Sequence, residues 1–209
     1  MKTFLLFFFL LLAPIFVYCQ SNHFPKGAYM SFDEILERAP SRQLDLKLLR
    51  RTQGDIKMNG GNDFKLESED NSISKKTIKK EIWAYSFGDT LYVNCKKFMM
   101  QTWYAPLISD GEYLVIKAGL SNYIEEQKKQ RNIGYTFGAL GGGIQGAQLA
   151  TLRFLYVIDK KTKVAQTVID ERMPDILKTR EDLLKEFNME TEMTEGDCVQ
   201  YLRRLNGEI

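Results

Sequence analysis

The sequence predicts an α+β domain: an antiparallel sheet built from hairpins, with helices at its C-terminal end and a glycine-rich insertion. Three observations carry this prediction. Aromatic and β-branched runs come in pairs around short turns through the middle of the chain. Beyond Pro174 the apolar residues fall at helical spacing instead. Between these regions, residues 132–152 carry no charge and six glycines.

The elements follow in order. Gly27 to Met30 reads as a short extended segment. Ser31-Phe32-Asp33-Glu34 has the form of a capping box, in which the serine hydroxyl accepts from the third helical NH and Glu34 reaches back. Ala39-Pro40 closes that helix. Residues 41–62 are polar and mixed, with extended segments expected around Leu44–Leu49 and Asp55–Met58. Asn59-Gly60-Gly61-Asn62 is a turn, and Phe64-Lys65-Leu66 alternates after it. Three hairpins are then expected. Glu81–Ser86 and Thr90–Cys95 flank Phe87-Gly88-Asp89. Gln101–Ile108 and Glu112–Lys117 flank Ser109-Asp110-Gly111. Arg153–Asp159 and Val164–Asp170 are joined through Lys160–Lys163. Pro174 suits the first position of a helix that carries Ile176, Leu177, Leu183, Leu184 and Phe187 and stops at Asn188. Thr194 caps a last helix, with Asp197 in its first turn. Cys198, Tyr201, Leu202 and Leu205 form its inner face, and Gly207 ends it. No linker and no tandem repeat divides the chain, so residues 20–209 are expected to form a single domain.

Residues 1–19 read as a signal peptide. Lys2 gives the positive start, and an apolar run extends from Phe4 to Tyr18, short for a bilayer span. Val17 and Cys19 occupy the −3 and −1 positions of a cut before Gln20. The mature protein is therefore expected in the periplasm, at the outer membrane or secreted. A lipoprotein acylated on Cys19 is the rival reading, opposed by the bulky Tyr18 just before it. Cys95 and Cys198 remain after cleavage. An exported compartment permits a disulfide between them, and two small buried hydrophobes are the alternative.

Without Lys2 the mature chain holds 28 basic and 27 acidic residues, a net charge of +1. This near-balance argues against a polyanion binder, and no nucleic-acid partner is expected. The basic runs Lys75–Lys80 and Lys128–Arg131 contain no interleaved aromatics and read as solvated faces.

The order of four motifs resembles a family of exported proteins of unknown function from Bacteroidota-type bacteria. They are Gly-x-Tyr-x-Ser-Phe-Asp-Glu at 27–34, Met-Asn-Gly-Gly-Asn-Asp at 58–63, Ile-Trp-Ala-x-x-x-Gly-Asp-x-Leu-Tyr-Val-Asn at 82–94 and Leu-Tyr-Val-Ile-Asp at 155–159. The resemblance runs from about Gly27 to the end. It implies an envelope location and a fold, and it assigns no catalytic residue.

Residue chemistry narrows the function classes. The single histidine, His23, stands just past the expected cut, which removes histidine-based triads and His-rich metal sites. Ser72-Ile73-Ser74-Lys75 fits a Ser-x-x-Lys nucleophile by its letters but sits in a polar loop. Acidic pairs such as Asp33 with Glu34, or Asp170 with Glu171, could serve a carboxylate hydrolase. Asn59–Asp63 with Glu67 and Asp70 offers oxygens for calcium, although the spacing is not that of an EF-hand loop. Gly141-Gly142-Gly143-Ile144-Gln145-Gly146 matches the dinucleotide fingerprint without the strand before it or the full helix after it. No catalytic residue, cofactor or metal is expected. Gly134, Gly138, Gly142, Gly146 and Ala150 recur every four residues, so in a helix they would form one side-chain-free stripe. The stripe would serve close packing, self-association or membrane contact. The sequence thus favours an exported envelope protein that works by binding or assembly. The alternatives are a small secreted hydrolase with paired carboxylates and a glycine-zipper protein inserting into a membrane.

Overall fold

The computed structural model describes residues 23–122 and 146–209. The expected signal peptide, Cys19 and Gln20 lie outside the described residues, as do Gly134, Gly138 and Gly142 of the stripe.

Among the described residues nine antiparallel strands form the sheet: β1 (Gly27–Tyr29), β2 (Leu46–Arg50), β3 (Phe64–Ser68), β4 (Ala84–Ser86), β5 (Leu91–Asn94), β6 (Tyr104–Asp110), β7 (Tyr113–Ala118), β8 (Phe154–Asp159) and β9 (Ala165–Thr167). The main path runs β1-β4-β5-β6-β7-β8-β9, and the β2–β3 hairpin joins it through Phe64 opposite Tyr104. The three expected hairpins are β4–β5, β6–β7 and β8–β9.

Alternation splits the buried side chains between two faces. Along β7, Leu114, Ile116 and Ala118 enter one cluster and Val115 enters another. Along β8, Phe154, Tyr156 and Ile158 oppose Leu155 and Val157 in the same way. The first cluster also takes Tyr29 from β1. Five steps of strand spacing would put β1 about 24 Å from β8 in a flat sheet. The sheet therefore curls, and the helix α1 (Phe32–Glu37) fills its hollow with Phe32 and Ile35. Lys163, in the β8–β9 turn, closes on α1 with its Nζ 3.0 Å from Asp33 Oδ1. The outer face is covered twice. At one end the β2–β3 hairpin and the helix α3 (Lys75–Lys80) pack on Tyr85 and Tyr104. At the other end the C-terminal helices pack on Val115, Leu155 and Val157.

Capping chemistry places the helices. Ser31 Oγ accepts from the Glu34 amide as expected. Glu34 Oε2 reaches one residue further back than a capping box requires, to the Met30 amide at 2.7 Å, and also takes the Ser41 amide. Residues 55–58, expected to be extended, lie in the helix α2 (Gln53–Asn59). Thr52 Oγ1 accepts from the Asp55 amide, and Gly60 ends the helix at φ 61. The same hydroxyl-cap logic starts α3 at Ser74, where the sequence shows only a basic run. Gly146–Leu149 are helical (α4), and Ala150 follows in a turn.

The expected helix beyond Pro174 divides into α5 (Met173–Leu177) and α6 (Glu181–Phe187). Leu177 and Leu183 are both fully buried. Six positions apart on one continuous helix they would diverge by about 120°, and the break lets both reach the core. The last helix, α7 (Glu195–Leu205), has the reciprocal Thr194–Asp197 cap and buries Cys198, Tyr201, Leu202 and Leu205, as the sequence indicates. Among the described residues no helix is long and apolar enough to cross a membrane.

Candidate functional site

The helix α3 is held by the carbonyls of its own last turn. Tyr104 Oη donates to Ile78 O at 2.6 Å, Asn94 Nδ2 to Lys79 O at 3.1 Å and Lys97 Nζ to Lys80 O at 2.6 Å. Ile78 points into the core beneath Tyr104. With that face buried, Lys75, Lys76 and Lys80 stand exposed and Lys79 half-buried. A lysine on a strand or a neighbouring turn meets each side of this row. Lys47 and Lys65 of the β2–β3 hairpin, together with Lys75, surround Glu67. The Lys65 ammonium, 2.6 Å away, is the main reason the Glu67 carboxyl titrates below its usual range. Lys96 and Lys97 come from the 3₁₀ turn Cys95–Phe98.

Both tryptophans of the chain lie under these lysines. Lys79 Nζ is 4.1 Å from the Trp103 ring centre and Lys65 Nζ is 5.6 Å from it. Lys97 Nζ is 4.9 Å from the Trp83 ring centre. Since Lys97 is also bonded to Lys80, α3 lies between the two indoles. Burial pushes the Lys97 pKa down, and Glu81 opposes the shift. Trp83 is backed by Phe98 edge-to-face at 5.8 Å and by Phe32 at 6.0 Å.

Trp103 is held in a strained backbone, with φ 81. The loop before β3 sets it there. A Cβ on Gly61 would lie 2.8 Å from Trp103 Cδ1 and 2.7 Å from Arg51 Nη1, and the residue has φ 93, so only glycine fits. Arg51, its side chain 4% exposed, is turned inward onto Asp55, Gly60 O and Asn62 O. Buried Asn62 receives the Gly119 amide on Oδ1 at 2.6 Å and donates Nδ2 to Gln101 O and Thr102 O. Asp63 receives a two-pronged contact from Arg153, through Nε at 3.0 Å and Nη2 at 2.8 Å. The Asn59–Asp63 turn is thus a clamp that ties β6, the end of β7 and the start of β8 beside Trp103.

The clamp also accounts for the calcium candidates. Asn59 bonds Asp55, Asp63 is held by Arg153, Glu67 by Lys65, and Asp70 by Ser68 and Ser72. Among the described residues no group of three or more His, Cys, Asp or Glu is placed to hold a metal ion. Within Ser72-Ile73-Ser74-Lys75, Ser74 is the cap of α3 and Lys75 belongs to the basic face. His23 is exposed. Of the two alternatives, a disulfide or two small buried hydrophobes, the structure has no bond between Cys95 and Cys198 and both buried: Cys95 lies in the core inside the curl, Cys198 in the core under the C-terminal helices. Burial pushes the Cys95 thiol far up.

Two clefts open elsewhere. One of about 370 Å³ lies between the β8–β9 hairpin and α5 and includes Asp159 and Asp175. One of about 190 Å³ includes Asp110 and Glu208. Three of their acids, Asp159, Asp110 and Glu208, have structural partners. Asp159 accepts the Lys161 and Thr162 amides of its turn. Asp110 lies 2.8 Å from Arg38 and 2.5 Å from Lys160, and its amide donates to Glu208. Of the candidate hydrolase pair Asp33 and Glu34, the first pairs with Lys163 and the second caps α1.

No curated protein and no solved structure matches the chain. A family described as being of unknown function, DUF6563, matches residues 27–208, a stretch that contains all four motifs; the chain belongs to that family.

Proposed function

We propose that the mature chain is an exported cell-envelope protein that works by binding an anionic component through the face around α3. The N-terminal run with Val17 and Cys19 before Gln20 supports export. One observation carries the binding reading. Lys75–Lys80 of α3 and Lys96–Lys97 of the 3₁₀ turn, together with Lys47 and Lys65, meet on one surface with both tryptophans. Net charge conceals this. Residues 75–97 hold six lysines against two acids, whereas residues 173–209 hold nine acids against five bases. The small total is a difference between two separated regions of opposite sign, and a local basic field attracts anions whatever the total.

The test has two parts. N-terminal sequencing of the protein from its own host gives a start at Gln20; retention of Met1 refutes export, and a diacylglycerol mass on Cys19 establishes the lipoprotein form. On a sulfated-polysaccharide column, Lys75→Gln/Lys76→Gln/Lys80→Gln elutes at clearly lower salt than wild type. Lys161→Gln/Lys178→Gln/Lys185→Gln removes the same charge elsewhere and elutes near wild type. Equal elution of the two triple variants refutes the face.

A further inference from the structure

We infer that the anionic component met by the α3 face is the surface of a lipid bilayer, an inference that rests on the binding reading above. The chemistry of the cations points there first. A small anion such as a single phosphate is held by concavity and by guanidinium forks. Here the inward-turned Arg51 is already occupied by Asp55 and two carbonyls, and the cations of α3 and of the 3₁₀ turn are all lysines, compact point charges on flexible stems. Such an array suits a diffuse sheet of negative charge that demands no fixed geometry.

The indoles separate a bilayer from a sugar polymer. A pyranose ring binds tryptophan by lying on a bare π-face. The Trp103 ring has Lys79 at 4.1 Å and Lys65 at 5.6 Å, and the Trp83 ring has Lys97 at 4.9 Å with Phe98 and Phe32 against it. Each indole thus already carries an ammonium over its ring, which a stacked sugar would have to displace. A half-buried indole beside lysines is instead the residue pairing that settles at the headgroup level of membranes. Orientation follows from the remaining charge. The acidic helices α5–α7 cover the β7–β8 end of the sheet, away from α3, so an anionic leaflet attracts one end of the molecule and repels the other.

The experiment is co-sedimentation of the full mature chain with vesicles. One set contains phosphatidylglycerol and phosphatidylcholine in roughly equal amounts, the other phosphatidylcholine alone. Wild type binds the anionic vesicles in a salt-dependent manner and leaves the neutral ones. Each lysine near an anionic leaflet contributes about fivefold to partitioning, so Lys75→Gln/Lys76→Gln/Lys80→Gln weakens binding by about a hundredfold. Lys161→Gln/Lys178→Gln/Lys185→Gln stays within a few-fold of wild type, and circular dichroism checks that both variants are folded. These lysines are exposed, so neither variant removes core packing. Retention on the sulfated polysaccharide with no binding to anionic vesicles overturns the bilayer inference and leaves the binding reading standing. Failure on both overturns both. Equal binding to neutral vesicles also overturns the inference, because charge would then not be the cause.

Discussion

Replacing Asn62 by alanine tests the clamp that seats Trp103. The residue is 1% exposed, and its side chain makes three hydrogen bonds that span the fold, to Gly119, Gln101 and Thr102. Alanine leaves the Gly119 amide without its acceptor and takes the Nδ2 donor from the Gln101 carbonyl. The Thr102 carbonyl keeps a second donor, the Asn62 amide at 2.8 Å. Stranding a buried polar group costs about 1–3 kcal/mol. With two such groups, and some relief from water entering the gap, the expected loss is about 3 kcal/mol. For a domain of this size that lowers Tm by about 6–12 °C. Thermal and urea unfolding followed by circular dichroism at pH 7 measure it. Asn62→Asp keeps the acceptor but sets a carboxylate against two carbonyl oxygens. It is expected to be worse than alanine at neutral pH. Protonation restores the donor, so part of the loss returns as the pH falls through the raised pKa of the buried acid. Asn59→Ala, three residues away and bonded only to the exposed Asp55 carboxylate, is the control. If Asn62→Ala and Asn59→Ala fall within about 0.5 kcal/mol of each other, the clamp does not hold the fold.

Two further outcomes follow from the same geometry. Gly111→Ala should cost about 1–3 kcal/mol by overpacking, because its Cβ would lie 2.4 Å from the Cβ of Asn206, the residue that locks the C-terminal helix onto the β6–β7 turn; wild-type stability in urea would show that the turn and helix move apart freely. Asp70 is pulled down to about 2 by the Ser72 hydroxyl, the Ser72 amide and Ser68, and Asp182 to about 2 chiefly by Arg180. Folded pKa values below the unfolded one give stability that is complete above about pH 4 and is lost as the pH falls through the folded values, so Asp70→Asn/Asp182→Asn should flatten that acid limb of the unfolding curve, and an unchanged limb would assign it to other groups.

The sequence alone was enough for whatever depends on neighbours along the chain. Paired β runs around Phe87-Gly88-Asp89 and Asp110-Gly111 specify hairpins, because a strand finds its partner within a few residues. Thr194 with Asp197, and Cys198 through Leu205, specify the last helix and its buried face, because capping and helical period are local. The segment 58–63 was visible as a turn, but its role was not: Asn62 acts on Gly119, 57 positions away, and Asp63 on Arg153, 90 away. Helices α2 and α3 were legible only in the hydroxyl caps of Thr52 and Ser74, since their short apolar faces give little periodicity. Only the tertiary structure decided that Cys95 and Cys198 occupy separate cores, a matter of which sheet face each reaches. Only it brought Trp83 and Trp103 beneath lysines from two runs that hold no aromatic residue of their own. Charge and aromaticity meet there through sheet pairing and a buried Ile78, and such long-range contacts leave no periodic trace in the chain.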